Sequence, residues 1–180
     1  HVESEENKGT KFVVELFFPI SSEKVVNEKK AKDEKRAGYD FGGINALVVE
    51  DNSINRQIIG VLLQHININF DFAENGRIAL EKFNAAPEKT YDLVYMDIQM
   101  PELNGYETTE ALRNGEKLEG HTIPIIAMTA NVFDEDVEKC RKVGMNAHIG
   151  KPIDPSQLAY VTNQVLSRQD VENFSDVVEK

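Results

Sequence analysis

The sequence predicts an α/β fold, with a doubly wound, five-stranded parallel sheet preceded by an N-terminal pair of strands and a linker. From about residue 44 onward, five short apolar segments alternate with segments of helical periodicity. The apolar segments are almost continuous, which is typical of parallel strands covered by helices on both faces. Crossovers between parallel strands are right-handed, so a doubly wound sheet is the simplest topology that fits this alternation.

The five predicted strands lie at residues 46–49, 68–72, 93–96, 123–128 and 147–149. The helix after the first strand has one apolar stripe at helical spacing, made of Ile54, Ile58, Ile59, Leu62, Leu63 and Ile66. Asn104 is placed to cap a later helix, and Gly144 follows the C-terminus of another. Asp154 and Pro155 open the last helix, with Gln157 positioned for a capping box.

Composition divides the chain into four parts. Residues 1–20 predict two short strands joined by a turn at residues 7–9, with the second strand at residues 11–18. Residues 21–43 are rich in Lys, Glu, Ser and Gly, and are predicted to form a linker. The α/β domain covers residues 44–168, and an acidic tail follows at residues 169–180. Because the chain begins with His1 rather than Met, we expect it to be a fragment of a longer protein.

The charge balance argues against several classes of function. The formal net charge of −11 disfavours nonspecific binding to nucleic acid or an anionic membrane, because both require clustered Lys and Arg. The longest apolar segment, residues 12–20, is interrupted by Glu15 and is too short to span a bilayer. The acidic N-terminus does not resemble a signal peptide. Cys140 has no cysteine to pair with and is predicted to fill space in the core, so a reducing, cytoplasmic location is expected.

Polar residues follow the predicted strands at the carboxyl edge of the sheet, where ligands bind in open α/β folds. The first strand leads to Glu50 and Asp51, the third to Asp97, the fourth to Thr129, and the fifth to Lys151. Three converging carboxylates repel one another unless a cation lies among them. Oxygen ligands without neighbouring His or Cys favour Mg²⁺. The sequence therefore predicts a magnesium site at this edge.

This set of residues predicts phosphoryl-transfer chemistry. Asp97 is the candidate nucleophile, because carboxylates can attack phosphorus and form aspartyl phosphates. The metal and Lys151 would neutralise charge on the oxygens of the transferred group, and Thr129 can donate a hydrogen bond to one of them. Asp97 lies in an apolar segment, an unfavourable place for a charge without a role. Asp51, Thr129 or Lys151 taken alone would fit an ordinary surface or capping residue.

Four sequence blocks resemble the signature motifs of a response-regulator receiver domain. In chain order they are Leu47-Val-Val-Glu-Asp-Asn52, Tyr95-Met-Asp-Ile-Gln-Met-Pro101, Ala127-Met-Thr-Ala-Asn131 and Gly150-Lys-Pro152. The resemblance covers residues 44–168 and implies the flavodoxin-like strand order 2-1-3-4-5. It further implies phosphorylation of Asp97, Mg²⁺ bound by Glu50, Asp51, Asp97 and the backbone carbonyl of Gln99, phosphoryl contacts from Thr129 and Lys151, and a cis peptide bond before Pro152.

One position departs from the family. Three residues before Lys151, many receiver domains have a Tyr or Phe that moves inward on activation, whereas this chain has His148. An imidazole fills similar space but is polar and titratable. Thr129 and His148 are therefore the candidate switch residues, and the helix predicted at residues 132–143 is the candidate moving element.

The first twenty residues resemble the end of a histidine-kinase ATP-binding domain. The similarity rests on Val2-Glu-Ser-Glu5, Lys8-Gly-Thr-Lys-Phe12 and Val13-Val-Glu-Leu-Phe-Phe-Pro19. Joined by a linker to a receiver, this segment implies the C-terminal part of a hybrid sensor histidine kinase. Since the remainder of that catalytic domain is absent from this chain, we expect the chain to bind no ATP.

The expected function is one step of a phosphorelay. Asp97 would accept a phosphoryl group from the phosphohistidine of a histidine kinase, then pass it to a histidine phosphotransfer protein or switch conformation. The expected catalysis is limited to the domain's own phosphorylation and dephosphorylation. The helix face near Ile58 and Val61 is the candidate docking surface. No nucleic-acid partner and no direct membrane contact are expected, and a membrane anchor would belong to the parent kinase.

Two alternatives remain open. A Mg²⁺-dependent phosphohydrolase would also use an Asp nucleophile, but such enzymes usually place a second acid two residues later, where this chain has Gln99. A degenerate receiver that only binds partners would leave the complete set of acids and Lys151 without a role. His65 and His121 are predicted to lie on the surface, because no metal-ligand spacing connects them.

Overall fold

The computed structural model describes residues 1–5, 9–15, 38–130 and 134–167. The chain divides into two compact units, His1–Glu34 and Lys35–Lys180. Most of the predicted linker, residues 131–133 and the acidic tail lie outside the described residues. Residues 6–8, in the region of the predicted N-terminal turn, also lie outside them.

The first unit contains the predicted pair of strands as an antiparallel hairpin. Strand β1 (Val2–Glu5) pairs with β2 (Gly9–Phe12), and Val2 lies opposite Phe12. The second strand thus begins two residues before the predicted residue 11, and residues 13–15 are not part of it. The part of this prediction at residues 16–18 lies outside the described residues.

The second unit is built around a five-stranded parallel sheet. Its strands are β3 (Asn45–Val49), β4 (Asn69–Ala73), β5 (Leu93–Asp97), β6 (Ile125–Thr129) and β7 (Ala147–Gly150). Their order across the sheet is β4-β3-β5-β6-β7, with every neighbouring pair parallel. The doubly wound fold and the order 2-1-3-4-5 among these five strands are confirmed.

Helices connect the strands. They are α1 (Ser53–His65), α2 (Gly76–Ala85), α3 (Gly105–Arg113), α4 (Asp134–Lys142) and α5 (Pro155–Ser167), with a short 3-10 helix (Leu118–His121) between α3 and β6. Within the described ranges, no helix is both long enough and apolar enough to cross a membrane.

The structure has the capping box at Asn104, the Asp154 half of the one predicted with Gln157, and the predicted glycine after α4. Asn104 and Glu107 form a reciprocal capping box at the start of α3, with both N–H···O distances at 3.0 Å. The Gln157 N–H donates to Asp154 Oδ1 at the start of α5. Gly144 follows α4 with a φ of +90°, a conformation that glycine adopts without steric cost. These local signals therefore fix where the helices begin and end.

The core has two parts, one on each face of the sheet. Alternate residues of β3 divide between them, because successive strand side chains point to opposite faces. Leu47 and Val49 pack in the cluster that includes Phe83 of α2, whereas Ala46 and Val48 pack in the cluster that includes residues of α1 and α5. A sheet buried on both faces explains why its strands are almost continuously apolar.

The stripe predicted for α1 is wrong in part. Ile59 and Leu63 are buried against the sheet as expected, but Ile54 and Ile58 are 66% and 51% exposed. Ile54, Ile58 and Val61 are spaced as i, i+4 and i+7, so they form a second apolar face, directed to solvent. Helix α1 therefore has more apolar surface than its packing on the sheet uses.

Candidate functional site

The carboxyl edge of the sheet brings the predicted site residues together. Glu50 and Asp51 directly follow β3, Asp97 is the last residue of β5, and Lys151 directly follows β7. Thr129 is the last residue of β6 and pairs with Gly150 of β7. Parallel strands end on the same edge, so residues far apart in the sequence meet there.

Three carboxylates form an acidic group at this edge. Glu50, Asp51 and Asp97 each offer one oxygen, and these oxygens all lie within 4.8 Å of one another. Glu50 is fully buried and Asp97 is 4% exposed, whereas Asp51 is exposed to solvent. The cavity that they line has a volume of about 580 Å³, and Asn55, Gln99, Ala130 and Lys151 complete much of its wall. The three acids are thus clustered, and Asp51 is the member of the group that is exposed to solvent.

Lys151 joins two of these acids. Its Nζ lies 2.7 Å from Glu50 Oε2 and 2.7 Å from Asp97 Oδ2. Burial disfavours the charged form of Lys151, but the ion pairs with Asp97 and Glu50 outweigh this effect and raise its pKa. The ammonium therefore stays charged and partly neutralises the acidic group.

The environment of Asp97 opposes its ionisation. Burial is the largest effect and raises the pKa of Asp97 to about 6, with a further increase from the charge of Glu50. Hydrogen bonds from Lys151 and from the Gln99 backbone N–H, which lies 3.2 Å from Asp97 Oδ1, act in the opposite direction. A cation bound among the carboxylates would favour the charged form of Asp97.

The donor set fits a hard divalent cation. Three carboxylates converge from two strand ends, and one of them is open to solvent, which leaves room for water ligands. No sulfur or imidazole ligand belongs to the group found in the described part of the chain. The acidic group could therefore hold a metal ion of the oxygen-preferring kind.

The remaining predicted residues surround this group. Thr129 is 5% exposed, and its backbone carbonyl accepts a hydrogen bond from the Lys151 N–H at 2.7 Å. Gln99 is exposed and lines the cavity. The peptide bond between Lys151 and Pro152 is cis.

His148 lies in the interior of β7. It is 3% exposed, and burial lowers its pKa. Its neighbours Ala147 and Ile149 pack in the core cluster on the α1 and α5 face, so the His148 side chain points to the opposite face, where α4 packs. The predictions that His65 and His121 lie on the surface and that Cys140 lies in the core are confirmed.

Two residues of α1 that we did not predict also contact the site. Asn55 Nδ2 donates to Glu50 Oε1 at 2.8 Å. Arg56 Nη1 donates to the carbonyl oxygens of both Glu50 and Asp51, each at 2.8 Å. Their position in the sequence could have indicated these contacts, because both residues lie in the first turn of the helix that follows the acid pair.

A family model for the response regulator receiver domain matches residues 46–163, about two thirds of the chain. The chain belongs to this family. A curated relative, hybrid signal transduction histidine kinase I of Dictyostelium discoideum, is 40% identical over 131 residues, which are 72% of this chain and 8% of that kinase. Hybrid signal transduction histidine kinase L of the same organism is 41% identical over 62% of this chain and 7% of that kinase. This receiver chain therefore spans less than a tenth of the length of these relatives.

Solved receiver structures share the fold. One is the receiver domain of a Pseudomonas aeruginosa sensor histidine kinase, which was determined with magnesium coordinated in its active-site cleft. It is 31% identical to this chain, with a TM-score of 0.61, and the match covers 71% of this chain and all of that one. Another match is to the co-crystal structure of the Saccharomyces cerevisiae histidine phosphotransfer protein Ypd1 with the Ssk1 receiver domain. The identity is 31% and the TM-score is 0.63, over 74% of this chain and 96% of the matched chain. The chain is thus a receiver domain of a two-component phosphorelay.

Proposed function

We propose that Asp97 accepts a phosphoryl group from phosphohistidine, assisted by Mg²⁺ bound to Glu50, Asp51, Asp97 and the backbone carbonyl of Gln99. The observation that carries this proposal is the convergence of three carboxylates and Lys151 within one cavity. In the transfer, an Asp97 carboxylate oxygen bonds to phosphorus, and the bond between phosphorus and the donor imidazole breaks. The electron pair of that bond stays on the imidazole nitrogen.

Each residue around Asp97 has a separate role. Lys151 is held at 2.7 Å from Asp97, close enough to pair with an oxygen of the phosphoryl group once Asp97 is modified. Thr129 donates a hydrogen bond to another of these oxygens. Glu50 and Asp51 carry negative charge and by themselves would repel the phosphoryl oxygens. When bound, Mg²⁺ supplies the positive charge that offsets this repulsion.

Modification of Asp97 would also act as a switch. A phosphoryl group adds about −1.5 to −2 charges, as it does on other side chains. Thr129 would move toward this charge, and His148 would occupy the space that the movement opens beside α4. The structural support is that Thr129 and His148 are both buried, on the adjacent strands β6 and β7.

The proposed partner is a histidine phosphotransfer protein, which would receive the phosphoryl group from Asp97. The exposed face of Ile54, Ile58 and Val61 lies on α1, whose first turn lines the acidic cavity. A partner seated on this face would have apolar surface to bury and a short path to Asp97. The match to a receiver structure that contains a histidine phosphotransfer protein supports this choice.

The proposed setting is the cytoplasmic, C-terminal part of a hybrid sensor histidine kinase. The similarity to hybrid kinases of Dictyostelium supports this setting, as does the hairpin of β1 and β2 at the predicted end of an ATP-binding domain. In this proposal the phosphoryl donor is the phosphohistidine of the parent kinase, and the receiver's own catalysis is limited to forming and hydrolysing its acyl phosphate.

Incubation with acetyl phosphate and Mg²⁺ tests the proposed function. We expect one base-labile phosphoryl adduct per chain, no adduct with Asp97→Asn or with the metal chelated, and a normal adduct with the control Asp154→Asn, which keeps the helix-capping oxygen. Mass spectrometry of the intact protein measures each result. Continuous turnover of phosphate esters would instead indicate a phosphohydrolase, and the absence of any adduct would indicate a receiver that only binds partners.

The same assay separates docking from chemistry. Ile58→Lys should leave phosphorylation by acetyl phosphate unchanged, because this small donor does not need the α1 face. Transfer from a phosphorylated histidine phosphotransfer protein such as Ypd1 should slow about tenfold or more, since a charge would be buried in an apolar contact. Equal rates with both donors would rule out the α1 face as the docking surface.

A further inference from the structure

The carboxylate of Glu50 is held by the protein at both of its oxygens. Oε1 accepts a hydrogen bond from Asn55 Nδ2 at 2.8 Å, and Oε2 pairs with Lys151 Nζ at 2.7 Å. Glu50 itself is fully buried. A buried carboxylate with one donor on each oxygen has a single favoured orientation, so Asn55 and Lys151 together set the direction in which Glu50 faces the cavity.

The two donors differ in what happens to them during phosphoryl acceptance. In the proposed function, Lys151 also pairs with an oxygen of the phosphoryl group, so its ammonium is shared between that group and Glu50. Asn55 is neutral, half-buried and anchored on α1, and its side chain donates to the Glu50 carboxylate. Asn55 is then the donor that is not shared with the phosphoryl group and that keeps the Glu50 carboxylate in place.

Arg56 holds the main chain of the same acid pair. Its Nη1 donates to the carbonyl oxygens of Glu50 and Asp51, each at 2.8 Å, and only 16% of its side chain is exposed. The guanidinium is planar and rigid, so two bonds from one nitrogen fix the loop between β3 and α1. Asn55 thus orients the acid's side chain, and Arg56 orients the backbone from which the acids project.

The start of α1 is itself well anchored. Asn52 caps the helix by accepting hydrogen bonds from the backbone N–H groups of Ile54 and Asn55. The Asn55 side chain also lines a second, smaller cavity of about 120 Å³ together with Ile58, Ile59, Pro152 and Ile153. Asn55 is therefore held between the acidic cavity and an apolar groove.

We propose that Asn55 and Arg56 are positioning residues of the phosphoryl-acceptor site, which hold Glu50 and Asp51 in the geometry that binds Mg²⁺. The inference rests on the proposed function for the identity of the ion. Asn55 and Arg56 are consecutive residues of α1, and the contacts described above join them to Glu50 and Asp51, not to Asp97.

Three consecutive positions of α1 provide the test. Asn55→Ala and Arg56→Ala each remove the contacts described, whereas the matched control Gln57→Ala removes an exposed side chain of the same helix. Mg²⁺ titrations of the full chain, followed by the ¹⁵N amide shifts of Asp97 and Gln99, should show about tenfold weaker binding for each of the first two variants. Gln57→Ala should bind Mg²⁺ as the wild type does.

Two further variants separate positioning from loss of structure. Arg56→Lys keeps the charge but places a single ammonium where the planar guanidinium bridges two carbonyls, so it should restore only part of the affinity. In a Glu50→Ala background, Asn55→Ala should have little further effect on Mg²⁺ binding, because the side chain that accepts its hydrogen bond is gone. A general structural defect would instead lower the affinity by the same factor in both backgrounds and would overturn the proposal.

The outcomes also separate this inference from the proposed function. If the wild type forms the Asp97 adduct and binds Mg²⁺, but Asn55→Ala and Arg56→Ala bind the ion with unchanged or higher affinity, the positioning role is refuted and the receiver chemistry stands. If the wild type forms no adduct, the proposed function fails, while the Mg²⁺ titrations still decide whether these two residues support the acid pair.

Discussion

His148 is a buried, titratable residue at a position where the family often has an aromatic ring. Because burial lowers its pKa below the ordinary value of 6.5, the unfolded chain binds a proton at His148 more readily than the folded domain does. The neutral form of His148 therefore contributes fully to the free energy of unfolding above about pH 6.5, and this contribution is lost as the pH falls below that value. The pKa of Asp97 is raised to about 6, so Asp97 has the opposite effect on how stability depends on pH.

Replacing His148 should therefore change the pH dependence of folding. As the pH is lowered from 7 to 5, the free energy of unfolding should fall more for the wild type than for His148→Phe, because Phe has no proton to gain. Urea unfolding at several pH values measures this difference. The control Gln57→Ala, at an exposed position without a titratable group, should keep the wild-type pH profile. A constant difference between His148→Phe and the wild type would show that His148 does not titrate in this range.

Single residues of the site were predictable where the sequence placed them at strand ends. Asp97 and Lys151 were identified in this way, and the structure puts them 2.7 Å apart. Asn55 could not be identified, because its role depends on which way the first turn of α1 faces. That direction follows from the packing of Ile59 and Leu63 on the sheet, and the apolar pattern of α1, which includes the exposed Ile54 and Ile58, does not fix it.

At the scale of the elements, Arg113 joins the end of α3 to two loops. Its guanidinium donates to the carbonyl oxygen of Gly144 from Nε and Nη2, to that of Gly120 from Nη1, and to Asn146 Oδ1 from Nη2. Burial lowers the pKa of Arg113 to about 10, which leaves it charged at neutral pH. The residue therefore ties the loop after α4 and the 3-10 helix to α3.

Removing this side chain should destabilise the domain. Arg113→Ala leaves three buried or half-buried acceptors with fewer donors, so the free energy of unfolding should fall by about 2–4 kcal/mol. Urea unfolding measures the loss. The control Arg77→Ala removes a 59% exposed arginine whose ion pairs lie on the surface, and it should change stability by less than about 1 kcal/mol. Equal losses for the two variants would contradict the anchoring role of Arg113.

The helices and strands themselves followed from local sequence signals, and the connections between them did not. Asn104 and Gly144 marked helix ends correctly because capping depends on neighbouring residues alone. The 3-10 helix at Leu118–His121 and the contacts of Arg113 involve loops that the fold of the sheet brings together. Long-range contacts of this kind leave no periodic pattern in a single sequence.

For the whole molecule, the N-terminal limit of the receiver domain can be tested directly. The predicted boundary is residue 44, but Phe41 is only 9% exposed and packs in the core cluster on the α1 and α5 face. Its N–H donates to the carbonyl oxygen of Ile66 at 2.9 Å, and its ring stacks with Tyr39 at 5.9 Å between centroids. We therefore infer that the folded unit includes residues from about 39 onward.

A comparison of two truncated proteins tests this limit. A chain beginning at Gly38 should keep the receiver stability of the full chain, whereas one beginning at Ile44 should lose about 3 kcal/mol, the sum of a buried Phe side chain and one hydrogen bond. The midpoint of urea unfolding, followed by far-UV circular dichroism, measures both. Phe41→Ala in the full chain should reproduce most of the loss, since it removes the ring but keeps the backbone. If the chain beginning at Ile44 unfolds at the same urea concentration as the chain beginning at Gly38, the packing of Phe41 contributes nothing and the predicted boundary at residue 44 is sufficient.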